Sequence, residues 1–233
     1  MAFDERTRML VGKEGVNRLA EAKVAVFGLG GVGGYAFEAL VRAGVGHIDV
    51  IDGDRFSESN LNRQLLALKD TVGRPKTQVA AERAASITDT VRVNTYFMFV
   101  TPDSVDRFDF AKYDYVVDAI DTVTAKIALI KACAAAGTPV ISCMGTGNKL
   151  SSQGFKITDI GKTSGCPLAR VMRRELKKAG ITSVKTVCSD ALPSSPENKL
   201  RIEGKDVPGS VSYVPAIAGL MAAEEVVRYL LKI

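Results

Sequence analysis

The sequence holds one histidine and four cysteines, and it has no long hydrophobic run. Each scarcity closes off a class of function. His47 opens an apolar stretch, where a core or edge position accounts for it better than catalysis, so histidine base chemistry has little support. Cys133, Cys143, Cys166 and Cys188 are scattered and none makes a C-x-x-C pair, which excludes a zinc site of the usual spacing. Scattered thiols without a secretion signal point to reduced cysteines in the cytoplasm. No apolar run reaches the ~18 residues of a membrane span. The stretch Met1 to Arg8 is charged and lacks the apolar core of a signal peptide. Internal repeats and long linkers are also missing, so the expectation is one domain over 1–233. In it, 1–150 forms a nucleotide-binding core and 151–233 a substrate-binding extension with a C-terminal helix.

What is present is a chain of 233 residues, long enough for one α/β domain with a proper core. Apolar residues at 46% and charged ones at 24% suit a globular protein, and a net charge of +5 permits an anionic partner without demanding one. The stretch around which the rest is arranged is Val24-Ala25-Val26-Phe27-Gly28-Leu29-Gly30-Gly31-Val32-Gly33-Gly34. Four apolar residues read as a buried strand, glycines follow at once, and Ala36, Phe37, Leu40 and Val41 recur at helical spacing. A strand, a tight turn and a helix N-terminus aim backbone N–H groups and the helix dipole at an anion. Gly28, Gly30, Gly31 and Gly33 are the candidate phosphate cradle. Alone, the pattern is weak: it also allows a nicotinamide cofactor, and a bare turn is the lesser alternative.

A second strand, His47–Ile51, ends at Asp52-Gly53-Asp54, with Asp52 19 residues after Gly33. That is where a dinucleotide fold places the carboxylate for the ribose hydroxyls, though Asp-Gly also makes an ordinary turn. Ser59-Asn60-Leu61-Asn62-Arg63-Gln64 follows, then Gly73-Arg74-Pro75-Lys76 opening a helix to about residue 85. Arg63 and Lys76 suit a triphosphate; as single residues they also read as surface charge. Strands are expected at 91–97, 113–118 and 139–142, with a helix at 122–136 between the last two. Asp118 and Asp121 then fall at the carboxyl end of a strand, where a carboxylate faces the ligand crevice. Asp121 is either a Mg²⁺ ligand or a helix cap. Alternating strands and helices predict a doubly wound, mostly parallel α/β sheet of Rossmann type with a smaller C-terminal α/β extension.

In the back third, 155–160 reads as a strand and Cys166-Pro167 opens a helix through Lys178. Arg170, Arg173, Arg174, Lys177 and Lys178 form a basic stripe on it, either a nucleic-acid contact or a solvated face. Cys166, near the helix N-terminus, has a lowered pKa as one prospect and a small buried side chain as the other. Residues 190–209 read as a surface loop and prospective substrate lid, and a last helix starts near Val214.

Taken together, Gly28-x-Gly30-Gly31-x-Gly33, Asp52-x-Asp54, Ser59-Asn60-Leu61-x-Arg63-Gln64, Gly73-x-x-Lys76 and Asp118-x-x-Asp121 resemble the ATP-dependent adenylating enzymes of the ubiquitin-activating type. The resemblance implies that the glycines, Asp52, Asp54, Ser59, Asn60, Arg63 and Lys76 hold ATP and that Asp121 holds Mg²⁺. It implies catalytic parts for Arg63, Lys76 and Asp121. It also implies a homodimer in which Arg6 reaches the partner's nucleotide. The branch of that family acting on sulfur-carrier proteins usually has two C-x-x-C pairs and an Asn after the second Asp. Here the pairs are missing and Thr122 stands in the Asn position. Gly145-Thr146-Gly147-Asn148, Thr163-Ser164-x-Cys166-Pro167-Leu168-Ala169 and Pro208-Gly209-Ser210-Val211 are similar instead to the tRNA threonylcarbamoyladenosine dehydratases. That branch implies a tRNA partner, cyclisation of the modified adenosine beside the anticodon, and possible sulfur-relay and monovalent-cation partners. A carrier-protein adenylyltransferase and a nicotinamide dehydrogenase are the competing expectations.

Overall fold

The computed structural model describes residues 3–195, 197, 198, 200–202 and 205–233. Helix α1 (Glu5–Glu21), broken into two pieces at Gly12 (φ 71°), leads into β1 (Lys23–Phe27). The glycine turn, α2 (Gly33–Ala43) and β2 (His47–Ile51) follow. A short helical turn at Glu58–Asn60 precedes α3 (Lys76–Ile87), β3 (Arg92–Tyr96), β4 (Tyr115–Asp118), α4 (Val123–Ala136) and β5 (Val140–Cys143). The rest is β6 (Phe155–Asp159), α5 (Pro167–Lys178), β7 (Lys185–Ser189), β8 (Leu200–Ile202), β9 (Lys205–Val207) and α6 (Tyr213–Leu231). Gly44 and Gly137 end α2 and α4 in the left-handed conformation, the usual stop for a helix.

Seven strands form one sheet in the order β3-β2-β1-β4-β5-β7-β6, parallel except for the antiparallel edge strand β6. The back third therefore adds two strands to the same sheet. Side chains of the central strands alternate between two buried faces. Val24, Val26, Ile48, Val50 and Val117 pack under α2, α3 and α6. Ala25, Phe27 and Val116 pack with Phe108, Phe110, Leu129 and Cys133 on the other face. This double burial is why the strands read as near-continuous apolar runs. The polar member of β2 does not face solvent: Asp49 is 1% exposed and takes hydrogen bonds from Tyr113 Oη (2.7 Å) and Asn94 Nδ2 (2.7 Å).

Strand order reverses between β1 and β4, so the crevice at the carboxyl ends of those strands is the expected ligand position. Helix α6 backs it. A Cβ on Gly219 would lie 2.2 Å from the Val32 carbonyl, so only glycine lets α6 press against the turn, and Pro215 sits over Gly31.

Two elements differ from expectation. The stretch 185–189, which lacks a clean alternation, is the buried strand β7 between β5 and β6. The segment 190–209, expected as a plain loop, contains the β8–β9 hairpin among its described residues; 196, 199, 203 and 204 lie outside them.

Candidate nucleotide-binding and adenylation site

A cavity of about 650 Å³ opens at the carboxyl ends of β1, β2 and β4. Its walls bring together Gly28, Gly30 and Gly31 of the turn, Asp52 and Asp54 after β2, and Asn60 and Arg63. Lys76 at the start of α3 and Asp121 after β4 complete it. Residues far apart in sequence meet because parallel strands end on one edge. Backbone bonds fix the loops: Gly28 N–H donates to Ile51 O (2.8 Å) and Ala119 N–H to Phe27 O (2.8 Å).

Gly33 is the one glycine of the fingerprint outside the cavity wall. A Cβ there would come within 1.8 Å of the Gly28 carbonyl, so it closes the turn instead of facing a ligand. Ser59 is similarly displaced: its hydroxyl pairs with Ser57 Oγ (2.9 Å), and Ser57 is the serine of this stretch on the wall. Arg6 lies exposed on α1, away from this chain's own cavity.

Asp52 receives the Leu29 N–H (2.6 Å) and the Asp54 N–H (2.8 Å) on its two oxygens. Burial lifts its carboxyl above the ordinary range; Lys76 and those N–H groups offset part of the rise. Lys76, 5% exposed, sits 3.1 Å from Asp54 and 3.9 Å from Asp52. Arg63 Nη1 rests on Ser59 O (2.6 Å) and Asn62 Oδ1 (2.9 Å). Asp121 is exposed and touched by Thr122 Oγ1 (3.2 Å), and the N-cap position of α4 belongs to Thr122. The capping alternative for Asp121 therefore fails.

Beneath Asp121 lies a network the sequence did not announce. Lys126 and Asp118, both fully buried, pair at 2.9 Å. Asp118, expected to face the crevice, is thus turned into the core by its ammonium partner, and of the two aspartates only Asp121 reaches the cavity. Lys126 also donates to Ile120 O (3.1 Å) and Cys143 O (2.9 Å), and Ser142 Oγ donates to Asp118 (2.6 Å). One ammonium thus ties the 119–122 loop to the end of β5. Across the cavity mouth, Asn148 N–H donates to Gly209 O (2.7 Å), its Oδ1 accepts the Gly209 N–H (2.6 Å), and Asn62 Nδ2 donates to Ser210 O (3.0 Å). These bonds hold the strap 207–210 against the site.

The basic stripe on α5 is partly structural. Arg173 is half-buried and donates to Thr163 O (2.8 Å), while Arg174 and Lys178 pair with Glu175 (2.7 and 3.1 Å). Arg170 and Lys177 are exposed. Cys133 and Cys143 are buried, with thiols pushed up to about 12 by desolvation. Cys166 is held well below the ordinary thiol range by a hydrogen bond with Cys188 and by N–H groups of Ala169, Gly145 and Leu168.

Among the described residues no three His, Cys, Asp or Glu side chains cluster as a metal cage. An exposed carboxylate beside a phosphate cradle is nonetheless the donor set Mg²⁺ uses, with nucleotide oxygens and water completing the shell. Fold and site together define a nucleotide-binding α/β protein equipped to handle a triphosphate. The chain belongs to the ThiF family, whose model matches residues 5–233. It is 41% identical over 239 residues to the tRNA threonylcarbamoyladenosine dehydratase of Bacillus subtilis, covering 97% of this chain and 94% of that one. The crystal structure of the Escherichia coli tRNA N6-threonylcarbamoyladenosine dehydratase with AMP superposes with a TM-score of 0.89. That match is at 35% identity over 98% of this chain and 93% of the other. The same E. coli enzyme with ATP gives 0.89 at 34% identity, over the same shares of the two chains. Among the described residues no helix is long and apolar enough to cross a membrane.

Proposed function

We propose that the protein is an ATP-dependent tRNA threonylcarbamoyladenosine dehydratase. The observation that carries this is the meeting of the glycine turn, Asp52, Arg63, Lys76 and Asp121 on one cavity. Similarity to dehydratases over nearly the whole chain supports the choice of substrate. A carboxylate is a poor electrophile and hydroxide a poor leaving group, so direct dehydration fails in water. Adenylation joins the substrate carboxylate to the α-phosphate and releases pyrophosphate. A nitrogen already within the substrate then attacks the acyl carbon and AMP departs.

Each residue has a part in that sequence. The turn N–H groups face the phosphates, Asp52 accepts from the ribose hydroxyls, and Arg63 and Lys76 meet the charge that develops as pyrophosphate leaves. Mg²⁺, held by Asp121 and phosphate oxygens, would neutralise the triphosphate. Ring closure calls for positioning more than for a protein nucleophile, which suits a site with no histidine and with its thiols buried. The single domain over 1–233 and a cytoplasmic location belong to the same reading, as do a possible monovalent cation and a sulfur-relay partner.

The carrier-protein alternative is less well supported, because the C-x-x-C pairs and the Asn after Asp121 are missing from the sequence. We also place a second copy of the chain against α1. Met9 and Leu10 are 82% and 88% exposed there, an apolar pair on the helix that carries Arg6. Incubation with ATP, Mg²⁺ and tRNA bearing threonylcarbamoyladenosine is expected to give a nucleoside lighter by one water. Asp121→Ala and Arg63→Ala should each slow it by about 10²-fold or more. ATP binding without that mass loss would sink the assignment.

A further inference from the structure

Gln64 follows Arg63 in the same helical turn, where both backbone N–H groups donate to Asn60 O (3.1 and 2.9 Å). The turn is itself pinned, since Asn60 Oδ1 accepts the Ser57 N–H (3.2 Å). The Gln64 side chain is 8% exposed and lines the cavity, with Nε2 3.9 Å from where a Cβ on Gly30 would stand. Its Oε1 is buried and has no hydrogen-bond partner among the described residues. Folded proteins leave few buried polar atoms in that state, and a site built to bond a ligand keeps such an atom for it.

The chemistry of the atom narrows the ligand. Oε1 is an acceptor, and phosphate oxygens at neutral pH offer no proton to it. The ribose hydroxyls have Asp52. A carboxamide presents an acceptor beside a donor, so its natural complement presents N–H beside C=O. A ureido group does so, and the threonylcarbamoyl side chain carries one.

We propose that Gln64 is a positioning residue for ring closure, its carboxamide accepting an N–H of the substrate's ureido group next to the glycine turn. This rests on the dehydratase reading above and deepens it. In the step concerned, the attacking nitrogen forms its bond to the acyl carbon, the acyl–oxygen bond to AMP breaks, and AMP leaves with the electron pair. The nitrogen's proton passes to solvent. Gln64 neither gives nor takes a proton; it fixes which way the nitrogen faces.

An activated carboxylate that is badly presented to its own nitrogen is lost to water, giving AMP without product. The measurement is therefore AMP formed per dehydrated nucleoside, in Gln64→Met and Gln64→Asn proteins, alongside the ATP dissociation constant. The ratio is counted per turnover, so a partly unfolded variant does not distort it. We expect unchanged ATP affinity and a ratio raised from about one to about ten or more, with product formation slowed by up to about 10²-fold. A ratio that stays at one would overturn the proposal. Loss of ATP affinity in step with loss of product would also overturn it, by assigning the amide to the nucleotide. A wild-type protein that yields no dehydrated nucleoside would instead remove the activity beneath the proposal, and the two failures are distinguishable.

Discussion

The four thiols of this chain share burial and differ in what lies beside them. Cys166 occupies the N-cap position of α5 beside Cys188, without a side-chain capping bond, and its thiol is held well below the ordinary range, at about 5, by Cys188 and the nearby N–H groups. A depressed acid pKa contributes stability that is fully present above the unfolded value. That contribution is lost as pH falls through the folded one. Cys188 is pushed upward, stays protonated over that window and adds no slope. Under reducing conditions, denaturant stability is thus expected to fall as pH drops from about 9 to about 5, and Cys166→Ser should flatten that part of the profile. A wild-type profile already flat there would show the thiol to be ordinary. At the same scale, Lys126 was hidden in the sequence, and Gln64 stood there only as a member of the motif at 59–64, with no role of its own. Each meets its surroundings through residues distant in the chain, and no local spacing marks a lysine bound for the core.

At the scale of elements, α5 shows how a helical stripe overstates an interface. Periodicity gave the face correctly, and it is tertiary partners that divide it. Replacing Arg170 and Lys177 by Ala should weaken tRNA binding and lower the salt dependence of affinity by roughly two charges. Arg174→Ala should do less, because Glu175 already compensates it. Arg173→Ala should cost about 1–3 kcal/mol of stability by leaving Thr163 without its donor, as thermal denaturation would report. Equal binding losses from all four changes would argue for one continuous charged surface. Strands β1, β2 and β4 were legible because burial on two faces writes apolar runs into the sequence. Strand β7, with Lys185 and Ser189 at its ends, and the short strands β8 and β9 carried no such signature. The glycine turn and Asp52 stood out by local chemistry. The inward role of Gly33 came only from packing, and the pairing of Ser59 with Ser57 from the local turn geometry.

At the scale of the whole molecule, the site draws on both halves of the chain and, in our reading, on a second chain. A two-fold dimer makes a direct prediction about Arg6. Arg6→Ala and Asp121→Ala proteins, each inactive alone, should recover roughly a quarter of wild-type activity when mixed and allowed to exchange, since half the dimers then carry one intact site. No recovery in a mixture shown to exchange would place Arg6 outside the partner's site.

The contact between Gly219 of α6 and the Val32 carbonyl has a consequence for synthesis. The phosphate turn leaves the ribosome some 180 residues ahead of the helix that backs it. A growing chain can shape β1, β2 and β4 yet still present an unsupported turn until α6 docks. Nucleotide affinity is therefore expected only once α6 has docked on the turn. A chain cut before Tyr213 is expected to lose measurable ATP binding, as calorimetric titration would report.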